Sequence, residues 1–267
     1  VPSFYGLNRL STVFEKEKKM RNRNVTIWVM VLVVICGRLQ KADGMVVFND
    51  GQTHTIDYVI DDQVEVEDST FFLEPTTVNF VQGGDATGEV RVNENSVVNV
   101  MGASLTSALA VWDTAQGNLF DGYIPRVSLL DRAIFNMHGG TMGTNLYGNY
   151  QSCITVSGGH VQGNVSSTID SSVSISGGTF DGYLHAGDNG LLTIIGSDFA
   201  VDGQPAPFGQ YVGEREGILT GVLANGDLID NWYYGTQNGT LILIPEPATL
   251  LLLGLGVPIL SGLRRKR

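Results

Sequence analysis

Lysine is absent from residues 45–244, where four arginines (Arg91, Arg126, Arg132 and Arg215) face 23 Asp and Glu, a net charge of −19. So acidic a body repels phosphate backbones, which argues against nucleic acid as a partner. Cysteine is nearly absent too. Only Cys36 and Cys153 occur, and just the second lies in the body, so no internal disulfide can staple it. The positions nineteen residues to either side of Cys153 and beyond, Ile134, Ser172 and Leu191, predict a partly buried, unreactive thiol. No His, Cys and carboxylate spacing resembles a metal motif, and neither metal nor cofactor is expected. Charged residues are sparse at 16% while hydrophobic residues reach 43%, which excludes disorder throughout. Proline contributes 8 residues and glycine 34, the latter without a collagen-like period, so many tight turns and an all-β chain are expected.

Positive charge is confined to the ends: 1–44 nets +5 and 245–267 nets +3. Met20, Arg21 and Arg23 precede the apolar run 25–37, then a polar segment closing on Ala42 and Gly44. That order predicts a secretory signal over 20–44, with Met45 starting the mature chain. An uncleaved anchor is the alternative, because Arg38 and Lys41 crowd the cleavage site. Residues 1–19 read as an extension upstream of the true start. Cys36 follows Ile35 rather than a small residue, so lipid attachment there is disfavoured.

At the other end Pro245, Glu246 and Pro247 precede an uncharged stretch, 248–263, and the cluster Arg264, Arg265, Lys266 and Arg267. A helix of that length spans about 24 Å, short of the ~30 Å hydrocarbon core. Basic flanks at both ends place them on the cytoplasmic side and the acidic body outside. The order Pro-Glu-Pro, leucine-rich span with Gly254 and Gly256, and basic end resembles the PEP-CTERM sorting tail. The resemblance covers about the last 23 residues. It implies an exported protein of a Gram-negative-type, exopolysaccharide-making bacterium, held in the membrane by its C-terminal helix until an exosortase processes it near Pro245, Glu246 and Pro247. Those three residues are then recognition residues, with no catalytic part. Physically, two prolines keep the segment extended and accessible to a protease.

Between the ends the sequence repeats. Phe135 to Gly140, Ile154 to Gly159, Val173 to Gly178 and Leu192 to Ser197 share one pattern at nineteen-residue offsets. Met142, Val161, Phe180 and Phe199 form a second column, and Leu146, Val165 and Leu184 a third. Val98 to Gly102 fits two periods earlier, and Thr77 to Gly84 more loosely. Apolar residues alternate with Thr, Ser or Asn, the two-residue period of a strand with one buried face. One such unit cannot bury enough surface to fold alone, so copies must stack. The expectation is an all-β parallel β-helix, a solenoid of six to eight rungs of about 19 residues over 45–204. A signal helix and a C-terminal transmembrane helix would flank it. An antiparallel sandwich or barrel is the alternative. The period breaks after Pro205, and 205–244 reads as a cap over the last rung.

Candidate chemistry is thin. His138 and His160 fall in hydroxyl-rich outer columns, while His185 and His54 have no ligand-like spacing. The run Asp57, Asp61, Asp62, Glu65, Glu67 and Asp68 reads as a solvated edge. Trp232, Tyr233 and Tyr234 read either as cap packing or as a sugar-binding platform. Two functions follow: an exported non-catalytic surface or matrix protein contacting exopolysaccharide or envelope components, or a polysaccharide lyase or hydrolase on the same scaffold. Two or three acids with an arginine in a groove would favour the second. A smooth Ser/Thr/Asn face would favour the first.

Overall fold

A computed structural model describes residues 40–42, 44–69, 74–236 and 238–246. The chain divides into a unit 1–42, of which the short strand Gln40–Ala42 is described, and a unit 43–267. The expected signal helix, apart from Gln40–Ala42 and Gly44, and the expected transmembrane helix lie outside the described residues. Among the described residues no helix is long and apolar enough to cross a membrane.

The second unit is an all-β parallel solenoid of about 8 turns at ~19-residue spacing. One face stacks the longer strands Gln116–Ile124, Ile134–Met137, Cys153–Val161, Ser172–Phe180 and Leu191–Val201. Another stacks the short strands Val127–Leu129, Leu146–Gly148, Val165–Ser167 and Leu184–Ala186. Pairing is parallel throughout these stacks, which decides against the antiparallel sandwich or barrel. Val156 pairs with Ile175 and Ile175 with Ile194, all three with no solvent exposure. Thr155, Ser174 and Thr193 form the adjoining outward column, half-buried by their neighbours. The expected columns Met142, Val161, Phe180, Phe199 and Leu146, Val165, Leu184 are buried as well.

Cys153 corrects its expectation. It is exposed, because the alternation that turns Ile154 and Val156 inward turns Cys153 out beside Ile134, itself 37% exposed.

The paired glycines have a steric reason. Gly159 sits at φ 92° and Gly178 at φ 103°, where side chains are strained. A Cβ on Gly159 would lie 2.6 Å from the Met137 methyl and 2.7 Å from the carbonyl oxygen of Gly139 on the rung before. The bend is thus fixed by rung-to-rung contact as well as by backbone angle.

Polar ladders supplement the apolar columns. Asn99, Asn118 and Asn136 each donate from Nδ2 to the Oδ1 of the asparagine one rung earlier, Asn79, Asn99 and Asn118, at 2.8, 2.8 and 2.9 Å. In the acidic run Asp68 departs from a solvated edge. It is 4% exposed and accepts from the Asn95 backbone N–H, Asn95 Nδ2 and Ser96 Oγ at 3.2, 2.7 and 3.1 Å. A carboxylate with three donors from the next rung clamps the two together.

The C-terminal region combines two devices. Leu191–Val201 begins as a parallel rung and ends in antiparallel pairing with Arg215–Leu223, which forms a hairpin with Leu228–Gly235. The hairpin's tip is tied down by Asp227 Oδ2, which accepts from the Gly178 N–H at 2.7 Å. Asn231 donates to the carbonyls of Phe180 and Gly182 at 2.7 and 2.8 Å. The chain then resumes the solenoid. Tyr233 and Tyr234 continue the short-strand stack, and Thr240–Pro245 stacks in parallel on Leu191–Val201. Gly209–Val212 runs antiparallel along that last strand and covers its edge.

Candidate functional site

Three regions bear on function. The first is the sorting tripeptide. Pro245 is the final residue of the last rung, in register with Gly196, and half-buried Glu246 follows directly. Pro247 lies outside the described residues. Fold and signal therefore abut, with no spacer between the last strand and Pro245.

The second is the outer side of the short-strand face. Parallel register aligns Ser128, Tyr147, Ser166, His185 and Tyr234 in one column. His185 Nδ1 is 2.8 Å from Ser166 Oγ, its Nε2 is 3.3 Å from Thr236 Oγ1, and its ring stacks on Tyr234 at 4.3 Å. Tyr183 packs against Tyr234 at 5.0 Å, and Asn145 Nδ2 donates to Tyr147 Oη at 2.6 Å. Strand alternation sends Tyr233 inward, 3% exposed, and leaves Trp232 outward, 47% exposed. The expected aromatic cluster thus splits: one ring packs in the core, and two join a surface of tyrosines, an imidazole and amides. Of the tyrosines on this surface, Tyr147 stands nineteen residues before Ser166 and so carried a readable signal, whereas Tyr183 meets Tyr234 across the hairpin excursion, which no fixed offset announces.

Burial holds His185 below its ordinary 6.5, against a smaller upward pull from Asp188. A histidine lowered on folding contributes stability that is complete above its unfolded value and is lost as pH falls through 6.5 toward the folded one. Glu67 works in the opposite sense. Burial first, and then Glu65, raise it, so as pH drops the folded chain takes up that proton before the unfolded chain does and gains stability by it. Comparison with His185→Gln isolates the histidine: between roughly pH 7.5 and pH 5.5 the thermal midpoint of the wild type should fall more than that of the variant. Parallel melting curves at each pH check this.

The third region is a groove of about 540 Å³ along the stacked turns, lined by Asp113, Asp131, Arg132, Tyr150, Ile169 and Asp170. It was missed because its members are turn residues, outside the apolar pattern. Asp113, Asp131, Tyr150, Ile169 and Asp170 have φ of 58, 58, 48, 51 and 61°. Aspartate tolerates this region, whereas β-branched Ile169 is strained there. All these side chains are solvent-exposed.

The remaining candidates pair locally. His160 Nε2 meets Asp181 Oδ2 at 2.9 Å, and His138 Nδ1 lies 3.0 Å from Ser157 Oγ while stacking on Phe120. Among the described residues no cluster of three or more His, Cys, Asp or Glu could hold a metal ion.

Comparison with known proteins adds one identification. No curated protein and no solved structure matches the chain. Residues 243–267 match the PEP-CTERM protein-sorting motif, which implies export, a membrane-anchored tail and processing by an exosortase. The chain is thus a β-solenoid whose last strand runs into a PEP-CTERM sorting motif.

Proposed function

We propose that this is an exported, non-catalytic protein of the cell surface or extracellular matrix, delivered by its tail and contacting exopolysaccharide through the aromatic part of the short-strand face. The observation that carries the reading is the junction of a rigid repeat body to a sorting motif without a spacer: processing there would release the solenoid whole. Flat aromatic rings interleaved with amides and hydroxyls, as at Tyr183, Trp232, Tyr234 and Asn145, offer apolar contact to sugar faces and hydrogen bonds to their rims. The double variant Tyr183→Ala, Trp232→Ala should keep the wild-type fold yet lose roughly ten-fold in affinity for exopolysaccharide purified from an exosortase-bearing bacterium. Co-sedimentation reads this, and undiminished binding would remove the aromatic face from the proposal.

The groove of Asp113, Asp131, Arg132 and Asp170 favours the lyase or hydrolase as a second reading, since it brings acids and an arginine together. Its exposure counts against it. Acid–base work by carboxylates relies on a desolvated group whose proton affinity is shifted, and here the lining faces water. Release of reducing ends or unsaturated fragments from polysaccharide, abolished by Asp131→Asn, would decide for the enzyme.

A further inference from the structure

The cap forms a half-open cavity that neither the sorting motif nor the sugar-facing surface explains. Beyond the last rung, the segment following Leu191–Val201 crosses the end of the apolar core. Gln204–Pro205 pairs back on Ala200 and Val201, the Ala206 N–H donates to the Phe199 carbonyl at 2.8 Å, and Tyr211 Oη donates to the Pro207 carbonyl. Between this strap and the core lies a cavity of about 280 Å³, walled by Val201, Pro205, Tyr211, Leu241 and Leu243. Leu241 and Leu243 are 2% and 1% exposed, so the floor is the open end of the solenoid core itself.

Two polar groups converge on this apolar space. Tyr233 is 3% exposed, lines the cavity, and its hydroxyl is buried without a hydrogen-bond partner. An orphaned buried hydroxyl is costly, and native structures rarely leave one unmatched. Arg215 is solvent-exposed and lines the cavity, with its guanidinium 5.3 Å from the Tyr211 ring centroid. Among the described residues it makes no ion pair. Its charge also reaches the phenol: burial pushes the Tyr233 hydroxyl up to about 12, and Arg215 pulls against that rise. The hydroxyl is therefore a donor at physiological pH. Glu216 also lines the cavity, but strand alternation turns its side chain to the opposite face of the hairpin.

We propose that this cavity binds a small monocarboxylate with a compact apolar body, its carboxylate held by Arg215 and the Tyr233 hydroxyl and its body against Leu241, Leu243 and Val201. A guanidinium fork and one hydroxyl match two carboxylate oxygens. A doubly charged phosphate would carry a second negative charge that a single guanidinium leaves unmatched, on a body whose net charge is already −19. The volume lies at the low end for ligand pockets, which suits a single ring or short chain and excludes an oligosaccharide.

Benzoate is the probe, titrated calorimetrically into the full chain, with benzyl alcohol and phenyl phosphate as controls. Benzoate should saturate a single site and the controls should not. Arg215→Met should weaken it by roughly ten-fold or more, and Tyr233→Phe by about five-fold. Tyr233→Phe also separates binding from folding: removing an unpartnered hydroxyl should leave the thermal midpoint of the free protein unchanged or higher. Failure of benzoate to saturate by about 10 mM would overturn the proposal, as would equal affinity in Arg215→Met or equal binding of benzyl alcohol. Saturation by phenyl phosphate as tight as by benzoate would overturn the carboxylate assignment.

Discussion

Ile175→Asp should unfold the solenoid at room temperature, while Ser174→Asp, one residue earlier, should melt within a few degrees of the wild type. Ile175 has no exposure and stacks between Val156 and Ile194, which have none either. A carboxylate there loses its water and gains no cation, and the surrounding apolar contacts are forfeited. Large-to-small core changes alone cost about 2–5 kcal/mol, and an unpaired buried charge adds more, against a total domain stability of roughly 5–15 kcal/mol. The damage spreads, because each rung is stabilised by the interfaces on both its sides. Ser174 lies on the outer column between Thr155 and Thr193, where an aspartate can swing into solvent. Urea titration followed by circular dichroism reads both midpoints. Equal losses from the two substitutions would contradict the register.

That register was legible because apolar columns recur at a fixed offset, and a parallel stack demands that like positions meet like. Legibility faded where spacing drifts. Thr77 pairs with Thr53 twenty-four residues earlier and with Val97 twenty residues later, so the first rungs fit the nineteen-residue pattern poorly although their strands stack equally well. The last rung was hidden for the same reason. Thr240 pairs with Leu191 across an excursion that contains the whole Arg215 to Gly235 hairpin. No local pattern in Thr240, Leu241, Ile242 and Leu243 announces which earlier strand they will meet.

The candidate sites were less legible than the fold. Pro245, Glu246 and Pro247 stood out because a sorting signal is a linear motif, read along the chain in the order a processing enzyme meets it. The aromatic face, the turn groove and the cap cavity are each assembled from different rungs. Tyr147, His185 and Tyr234 become neighbours only through the parallel register, and Arg215 reaches Tyr233 only through the antiparallel hairpin. Asp68 shows the same limit in reverse. In sequence it ends an acidic run, but in the solenoid the following rung supplies three donors that make it an interior clamp.

The sorting tail supplies the second large effect. Replacing Pro245, Glu246 and Pro247 together by alanine should leave passage across the inner membrane intact, because nothing in residues 1–44 changes. The unprocessed chain should then accumulate in that membrane, held by its apolar span and basic end, while the wild-type body is transferred onward. Fractionation with intact-mass measurement distinguishes the two forms. A plain anchor predicts no difference, since anchoring depends on apolar length and flanking charge and ignores those three residues. The structure adds a constraint of its own. Pro245 is in register with Gly196, so a protease engaging the tripeptide works against the end of the folded stack. Inserting a flexible Gly-Ser spacer between Ile244 and Pro245 should therefore preserve or speed processing, whereas the triple alanine variant should abolish it. Unchanged mass and location for the alanine variant, in a host that has the exosortase, would leave only the anchor reading.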